Sequence, residues 1–450
     1  MSSIKKALLT VLLPVVLQAC AAQHQQVNSL AEQLDNSTPE ATLLSLQSIT
    51  PPARDRAQYL LNTGLLKSMT GNFEAAIEDL QIAKDILNEL QAISVSENLA
   101  AATINETLRS YDGSASERVL LHVLLSIDYL MLDDLDAARV EVLQAAVVMD
   151  ELAREEKPVG QLPSAHYIAG LVYELSGELD NARISYRKAA NLMAMRNMSL
   201  PGYLQNSRPS PASPPAVDET AAEAVDEAVD EGVYQYSGQV SPAAVLPDPN
   251  TAEIIVIYWD GVVTSKQGTS IRVWVPAMNQ MVSLAVPYYP PSNYIRQPFT
   301  LSIAGQQHRT ETIEDIEALL REDLADEAAA IHAMTLARII SKHQFVKSVN
   351  EQNSNLALFA NIFTMLTESA DTRSWNMLPS TIQISRFWLP AGEYSLPYPV
   401  NPGSGPASPA ESKLAVSAGE KVVLFVPGVS KRIFSFRRTS PLYRKSGNRN

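Results

Sequence analysis

The sequence predicts an α+β protein: an N-terminal array of α-helical hairpins, followed by a β-rich, small sandwich-like domain with an inserted amphipathic helix. Residues 29–199 contain few glycines, and their apolar residues recur at spacings of three and four, the period of a helix that buries one face. Residues 251–430 contain short apolar runs that end at Gly, Pro or Asp, a pattern typical of strands. A length of 450 residues also favours more than one folded region.

The composition excludes two classes of protein. With 46% hydrophobic and 19% charged residues, the chain is not wholly disordered. Its formal charge is −14 and it has no long basic stripe, so the phosphate backbone of a nucleic acid would be repelled. We therefore expect no nucleic-acid partner.

The first nineteen residues have the pattern of an export signal. Lys5 and Lys6 form a positive start, and the apolar stretch Ala7–Leu17 follows. That stretch has about 11 residues, whereas a membrane-spanning helix needs about 20. Residues 1–19 are therefore predicted to be a cleaved signal peptide; an uncleaved membrane anchor is the alternative.

The segment Leu17-Gln18-Ala19-Cys20 resembles the lipobox of bacterial lipoproteins, although Gln18 departs from the usual small residue. The resemblance implies cleavage before Cys20 and lipidation of its sulfur, so that acyl chains, at roughly 0.8 kcal/mol per buried CH₂, anchor the chain to a bilayer. Ala21 rather than Asp implies the outer membrane, on the periplasmic face. Cys20 is the single cysteine, which excludes a disulfide within the chain and a thiol-based metal site.

Two segments of the helical region repeat one pattern of small and large residues. Small residues are placed where two antiparallel helices cross closely, larger ones fill the space between neighbouring hairpins, and a glycine marks each turn. The pattern resembles the tetratricopeptide repeat (TPR). The signature residues are Gly64, Gly71, Phe73, Ala76, Leu80 and Ala83 in one copy and Gly170, Tyr173, Gly177, Ala182, Tyr186 and Ala189 in the other.

A weaker copy of the repeat spans residues 129–145, and the spacing of the three copies is irregular. Ala76, Ala138 and Ala182 occupy equivalent positions 62 and 44 residues apart, whereas tandem repeats of this family recur every 34 or so residues. We therefore expect an additional helix, over Ser94–Tyr111, between the first two copies. A helical bundle without repeats is the alternative.

Three segments lie outside the two folded regions. Residues 20–28 are polar and are predicted to be a lipidated tether. Residues 200–250 are rich in Pro, Ala and acids, which indicates a disordered linker. Residues 431–450 contain seven Lys and Arg and no acid, and are predicted to be a basic C-terminal tail.

No catalytic, cofactor or metal motif is present. The chain has no G-x-S-x-G, phosphate-binding glycine loop or H-E-x-x-H, and its six histidines are scattered. We therefore predict no catalytic residue, no cofactor and no metal ligand. An envelope hydrolase stays open as an alternative. It would need a cleft in which two or more carboxylates, or His332 and an acid, converge.

Together with the lipobox and the segment Gly64–Phe73, three motifs, within Tyr111–Arg118, Asp371–Pro379 and Leu389–Gly392, resemble an uncharacterised family of Gram-negative envelope lipoproteins with TPR-like helices and a C-terminal β-rich domain. The resemblance implies a role in envelope assembly or maintenance. We expect a non-enzymatic scaffold that binds an unidentified envelope protein or peptide in a helical groove near Leu60–Lys67 and His166–Tyr173. A structural component of a larger envelope or secretion assembly is the alternative.

Overall fold

The computed structural model describes residues 25–101, 110–155, 159–205, 250–352, 370–402 and 411–439. The predicted signal peptide, Cys20, most of the linker and the end of the tail lie outside these residues. The α+β class is confirmed, because helices fill the first part of the chain and a sheet dominates the second.

Nine helices precede the first strand in the described part of the chain, and six of them form three antiparallel hairpins: α3–α4, α5–α6 and α7–α8. We call α3, α5 and α7 the inner helices and α4, α6 and α8 the outer helices. The bounds are α1 (25–33), α2 (Pro39–Gln47), α3 (Arg56–Thr70), α4 (Phe73–Ala101), α5 (Ala115–Met131), α6 (Leu135–Arg154), α7 (Pro163–Ser176), α8 (Leu179–Met195) and α9 (Gly202–Gln205).

The three hairpin turns use the same backbone device. Gly71 and Gly177 end α3 and α7 in the left-handed conformation, with φ of 84° and 82°. In the middle hairpin Asp133 takes the positive φ, at 60°. The separate helix expected to begin at Ser94 is wrong: α4 continues unbroken through that residue to Ala101, because nothing in the sequence there ends a helix.

The second half is built around one seven-stranded mixed sheet, in the order β6-β7-β1-β10-β11-β8-β9. Its strands pair antiparallel except β1 with β10 and β11 with β8. Two ribbons, β2–β3 and β4–β5, lie beside it. The bounds are β1 (Thr251–Asp260), β2 (Gln267–Val275), β3 (Gln280–Tyr288), β4 (Thr300–Ile303), β5 (Gln306–Arg309), β6 (Glu311–Asp315), β7 (Thr381–Pro390), β8 (Gly392–Pro402), β9 (Glu411–Val416), β10 (Glu420–Pro427) and β11 (Ile433–Thr439).

The central strand β1 is apolar from Ile254 to Ile257 because both of its faces are covered there. Ile255 and Ile257 share a core with the helices, whereas Ile254 and Val256 belong to a second core, which includes Leu301 of β4. One face of the sheet is thus packed by helices. The arrangement therefore differs from the small sandwich expected, in which a second sheet would cover that face.

The predicted inserted helix is α10 (Ile316–Gln352), which follows β6, and one boundary of the second half differs from the prediction. The tail predicted from residue 431 is wrong up to residue 439, because β11 lies inside the sheet between β10 and β8. Ile433, Phe434 and Phe436 are buried there, while Arg437 stays exposed. The basic residues had concealed an apolar run that the sheet buries.

Candidate functional site

The signature residues of the hairpins lie at helix crossings and not on a ligand surface. A Cβ at Gly64 would lie 2.6 Å from Cγ of Leu80, and one at Gly170 would lie 2.7 Å from the Tyr186 ring. Glycine at these two positions therefore lets each pair of helices approach closely. The other signature side chains are buried: Phe73, Ala76, Leu80, Ala83, Tyr173, Ala182, Tyr186 and Ala189.

The groove expected to bind a partner near Leu60–Lys67 is filled by this chain's own second half. Gln58 Nε2, at the start of α3, donates to Ser374 O and to Asn376 Oδ1, both at 2.7 Å. One turn later, the backbone N–H of Met377 donates to Asn62 Oδ1 at 3.2 Å. The prediction of an open groove here is therefore wrong.

The groove near His166–Tyr173 is covered as well, by the sheet. Glu174, at the end of α7, pairs with Arg386 of β7 at 2.5 Å and with Lys421 of β10. Glu253 of β1 pairs with the same two cations. These four charged side chains are almost completely buried, so each acid is balanced by a base. The physical reason for the error is this charge match, which joins residues far apart in the sequence.

The buried charge cluster stabilises the fold and offers no reactive group. Burial alone would raise the pKa of Glu174, but the Arg386 guanidinium and the Lys421 ammonium outweigh it and hold that pKa below its ordinary value. Tyr186 also donates its hydroxyl to Glu174 at 2.7 Å. A carboxylate that is charged, saturated and closed to solvent is poorly placed for proton transfer.

A polar pocket of about 290 Å³ lies between the first turn of α5, the β2–β3 ribbon and α10. Its volume is near the lower end of the range in which proteins hold small ligands. The lining includes Tyr111, Glu117, Arg118, Val159, Lys266, Pro287, Tyr289, Asp326, Glu327, Ile331, Met334, Asp371 and Arg373. Two of the segments that carry the family resemblance, 111–118 and 371–379, therefore meet at this pocket.

Glu117 holds these two segments together. Its carboxylate accepts hydrogen bonds from Tyr111 Oη at 2.5 Å, from the Ser114 N–H at 2.7 Å and from the Trp375 N–H at 2.6 Å. The bond to Ser114 completes a capping box at the start of α5. Glu117 is thus fully committed to holding the pocket wall in place.

The other buried charged side chains around the pocket also have partners within the chain. Arg373 forms ion pairs with Asp371 at 2.5 Å and with Asp55 at 3.0 Å. Asp323 of α10 accepts hydrogen bonds at the start of α5, from the Ser116 N–H and Oγ at 2.9 Å each. Burial raises the pKa of Asp323 to about 6, although these bonds oppose the shift.

Four charged side chains that line the pocket are not held by hydrogen bonds or ion pairs in this way. Arg118 and Lys266 are basic, and Asp326 and Glu327 of α10 are acidic; desolvation in the pocket raises the pKa of Glu327 to about 7. None of the four forms a hydrogen bond or ion pair within the described part of the chain, and Nε of Arg118 is buried without a partner. Between them lie apolar side chains such as Met334.

This arrangement can hold a ligand that carries both signs of charge. A cationic group would meet the two carboxylates, an anionic group would meet Lys266 and Arg118, and an apolar body would contact the wall between them. In the described residues no group of three or more His, Asp or Glu side chains is arranged to hold a metal ion. Nor, among those residues, is any helix long and apolar enough to cross a membrane.

Comparisons with known proteins add little. No family model and no curated protein matches the sequence. The crystal structure of BtubC (BKLC) from P. vanneervenii aligns with 51% of this chain and 96% of its own, at 15% identity and a TM-score of 0.26. A likeness this weak carries no argument about the fold or the function.

Sequence reasoning missed the pocket and all four unpartnered charges. Asp326 and Glu327 belong to a run of acids and alanines that is typical of any solvated helix face. The available signal was the pair of resembling segments, because Glu117 and Trp375 touch across 258 residues of sequence. A resemblance in two distant places was the one indication that those places meet.

Proposed function

We propose that this chain is a lipid-anchored envelope protein that binds the end of a short peptide, or a similar small zwitterion, in the polar pocket. The observation that carries the proposal is the set of four unpartnered charges, Arg118 and Lys266 against Asp326 and Glu327, around an apolar wall. A free peptide end presents an amine or a carboxylate with an apolar body beside it. Binding, rather than covalent chemistry, is the role that this set supports.

The anchor and the location belong to the same proposal. The lipobox ending at Cys20 supports lipidation at that residue, and Ala21 supports the periplasmic face of the outer membrane. The TPR-like hairpins would still serve a scaffold in envelope assembly or maintenance. Because their inner helices are covered by the sheet, such a scaffold would bind partners at the pocket and at the outer helices.

An envelope hydrolase is the second candidate, and one observation favours it: carboxylates do converge in a cleft. Two of these carboxylates argue against it, because Glu117 and Asp371 each accept several hydrogen bonds from the chain itself and are not free to act on a substrate. Glu327 is the carboxylate that favours it, because desolvation in the pocket raises the pKa of this carboxyl to about 7, a range that suits a general acid. Hydrolysis of peptides or glycan strands that is lost in Glu327→Gln would favour this candidate.

Calorimetric titration with trialanine tests the binding proposal. The peptide with two free ends is expected to bind, an N-acetylated or C-amidated form to bind at least tenfold more weakly, and the doubly blocked form not to bind. Glu327→Gln and Lys266→Gln should each weaken binding by about tenfold, since a charge-assisted hydrogen bond contributes roughly 1.5–3 kcal/mol.

Glu151→Gln, an exposed acid on α6 away from the pocket, is the matched control and should bind as the natural chain does. Equal affinity for the free and doubly blocked peptides, or no loss in either pocket variant, would contradict the proposal. For the anchor, Cys20→Ser is expected to release the chain from the membrane fraction. Unchanged membrane fractionation of Cys20→Ser would refute lipidation at that residue.

A further inference from the structure

The outer helices expose large apolar side chains on a shared surface. Val140, Leu143 and Val147 lie on one face of α6 and are 48%, 41% and 55% exposed. Ile82 of α4 is 41% exposed and Ile184 of α8 is 50% exposed. Single exposed apolar residues are ordinary, but a stripe on one helix, flanked by one apolar residue on each neighbour, is typical of an interface.

The three outer helices are neighbours in the order α4, α6, α8. Lys84 Nζ of α4 bonds Glu141 Oε1 of α6 at 2.8 Å. Arg139 Nε of α6 bonds Glu178 Oε1, at the start of α8, at 2.5 Å. The opposite sides of these helices pack on the inner helices. We call the surface that they present the outer face, defined by Ile82, Val140, Leu143, Val147, Ile184 and the exposed charges of α4 and α8.

Charge is distributed unevenly across the outer face. On the α4 side, the residues in line with Ile82 are acidic and exposed: Glu74, Glu78, Asp85 and Glu89. On the α8 side the balance is positive: Lys188 is exposed, Arg183 and Arg187 are half-buried, and the one acid, Asp180, pairs with Arg183. The face therefore runs from negative, through apolar, to positive.

We propose that the outer face joins two copies of this chain in a symmetric dimer whose two-fold axis runs along α6. Rotation about that axis lays α6 on the partner's α6 and places the acidic α4 of each copy opposite the basic α8 of the other. An axis across the helices would instead set the four carboxylates of α4 against their own copies. The observed distribution thus selects one axis, with an apolar centre and complementary charges at the edges.

Sedimentation of the full chain carrying Cys20→Ser, over a concentration series, tests the dimer without a contribution from lipid. The natural surface is expected to give a dimer, and Leu143→Glu to raise the dimer dissociation constant at least tenfold. Because Leu143 is exposed, the Leu143→Glu variant should keep the circular dichroism spectrum and the melting temperature of the natural protein. Leu44→Glu, at a side chain that is 70% exposed on α2, is the matched control and should leave the dimer intact.

Two charge-reversed variants test whether opposite charges meet across the outer face. Reversing all four α4 acids (Glu74→Lys, Glu78→Lys, Asp85→Lys and Glu89→Lys) makes both sides of the face positive, and Arg183→Glu with Lys188→Glu makes both sides negative. Each variant alone is expected to be a monomer, and an equimolar mixture is expected to dimerise again, since each positive side then meets a negative one. A monomeric natural surface, or a mixture that stays monomeric, would overturn the proposal. None of the residues that define the outer face lines the pocket, so this result does not depend on ligand binding.

Discussion

The carboxylate of Glu314, on β6, caps the first turn of α7 from outside the helix: its Oε2 accepts hydrogen bonds from the Ser164 N–H at 3.0 Å and from Ser164 Oγ at 2.9 Å. The residue at the cap position, Leu162, has no side-chain oxygen to do so. Asp323 performs the same task at the start of α5. The strand and helix of the second half thus complete two inner helices of the first.

Glu314 should make the stability of the protein fall with rising pH. Burial raises the pKa of Glu314 to about 7 from an ordinary value of 4.5, so between those values the folded state holds the proton more tightly than the unfolded state. The stabilisation is complete below about pH 4.5 and is lost as the pH rises through about 7. The loss is up to about 3 kcal/mol in the free energy of unfolding. Urea unfolding from pH 4.5 to 8 measures it.

Glu314→Gln keeps the acceptor oxygen and removes the titration, so its unfolding free energy should vary less over that window than the natural protein's. Glu151→Gln, an exposed acid on α6, should keep the natural slope. An identical pH dependence in Glu314→Gln would show that this carboxyl does not carry the effect.

Two glycines and one strand show which parts of the fold the sequence could predict. Gly71 and Gly177 were predicted as turns, and they are, because a hairpin turn is decided by residues close along the chain. Glu314 and Ser164 could not be paired in advance, since neither a lone Glu in a strand nor a Ser in a helix indicates a partner 150 residues away. The strand β11 was missed because arginines border its short apolar run, Ile433–Phe436, on both sides, and the segment was therefore interpreted as a basic tail.

Substitutions in the buried charge cluster should have non-additive effects on the free energy of unfolding. Arg386→Met leaves Glu174 and Glu253 with one cation, Lys421, and should lower the unfolding free energy by about 3–5 kcal/mol. Adding Glu174→Gln removes the uncompensated charge, so the double variant should lose less than the sum of the two single changes. Denaturant unfolding of all four chains gives the coupling; additive losses would mean that the two side chains act independently.

Glu117 should hold the segment around Trp375 against the first turn of α5. Glu117→Ala removes the acceptor of three hydrogen bonds, two of them from backbone N–H groups, and should lower the unfolding free energy by about 2–4 kcal/mol. Proteolysis at Arg373 should accelerate in that variant, because the docked segment is released. Glu117→Gln, which keeps an acceptor oxygen, should lie between the two; equal cleavage of all three chains would contradict this role.

Gly71 lies where the turn of the first hairpin contacts the sheet. Its replacement by Ala should lower the free energy of unfolding in two ways, through backbone strain and through overlap with a neighbouring side chain. Its φ of 84° disfavours any side chain, and an added Cβ would overlap the ring of Phe434 on β11. Gly305 has a similar φ of 74° but nothing within 4 Å of an added Cβ, so Gly305→Ala measures the backbone cost alone, about 1 kcal/mol. Gly71→Ala should lose at least about 1 kcal/mol more, by the cost of overpacking. Phe434→Leu should then recover part of that excess; equal losses for the two glycines would show that the contact between turn and sheet does not constrain residue 71.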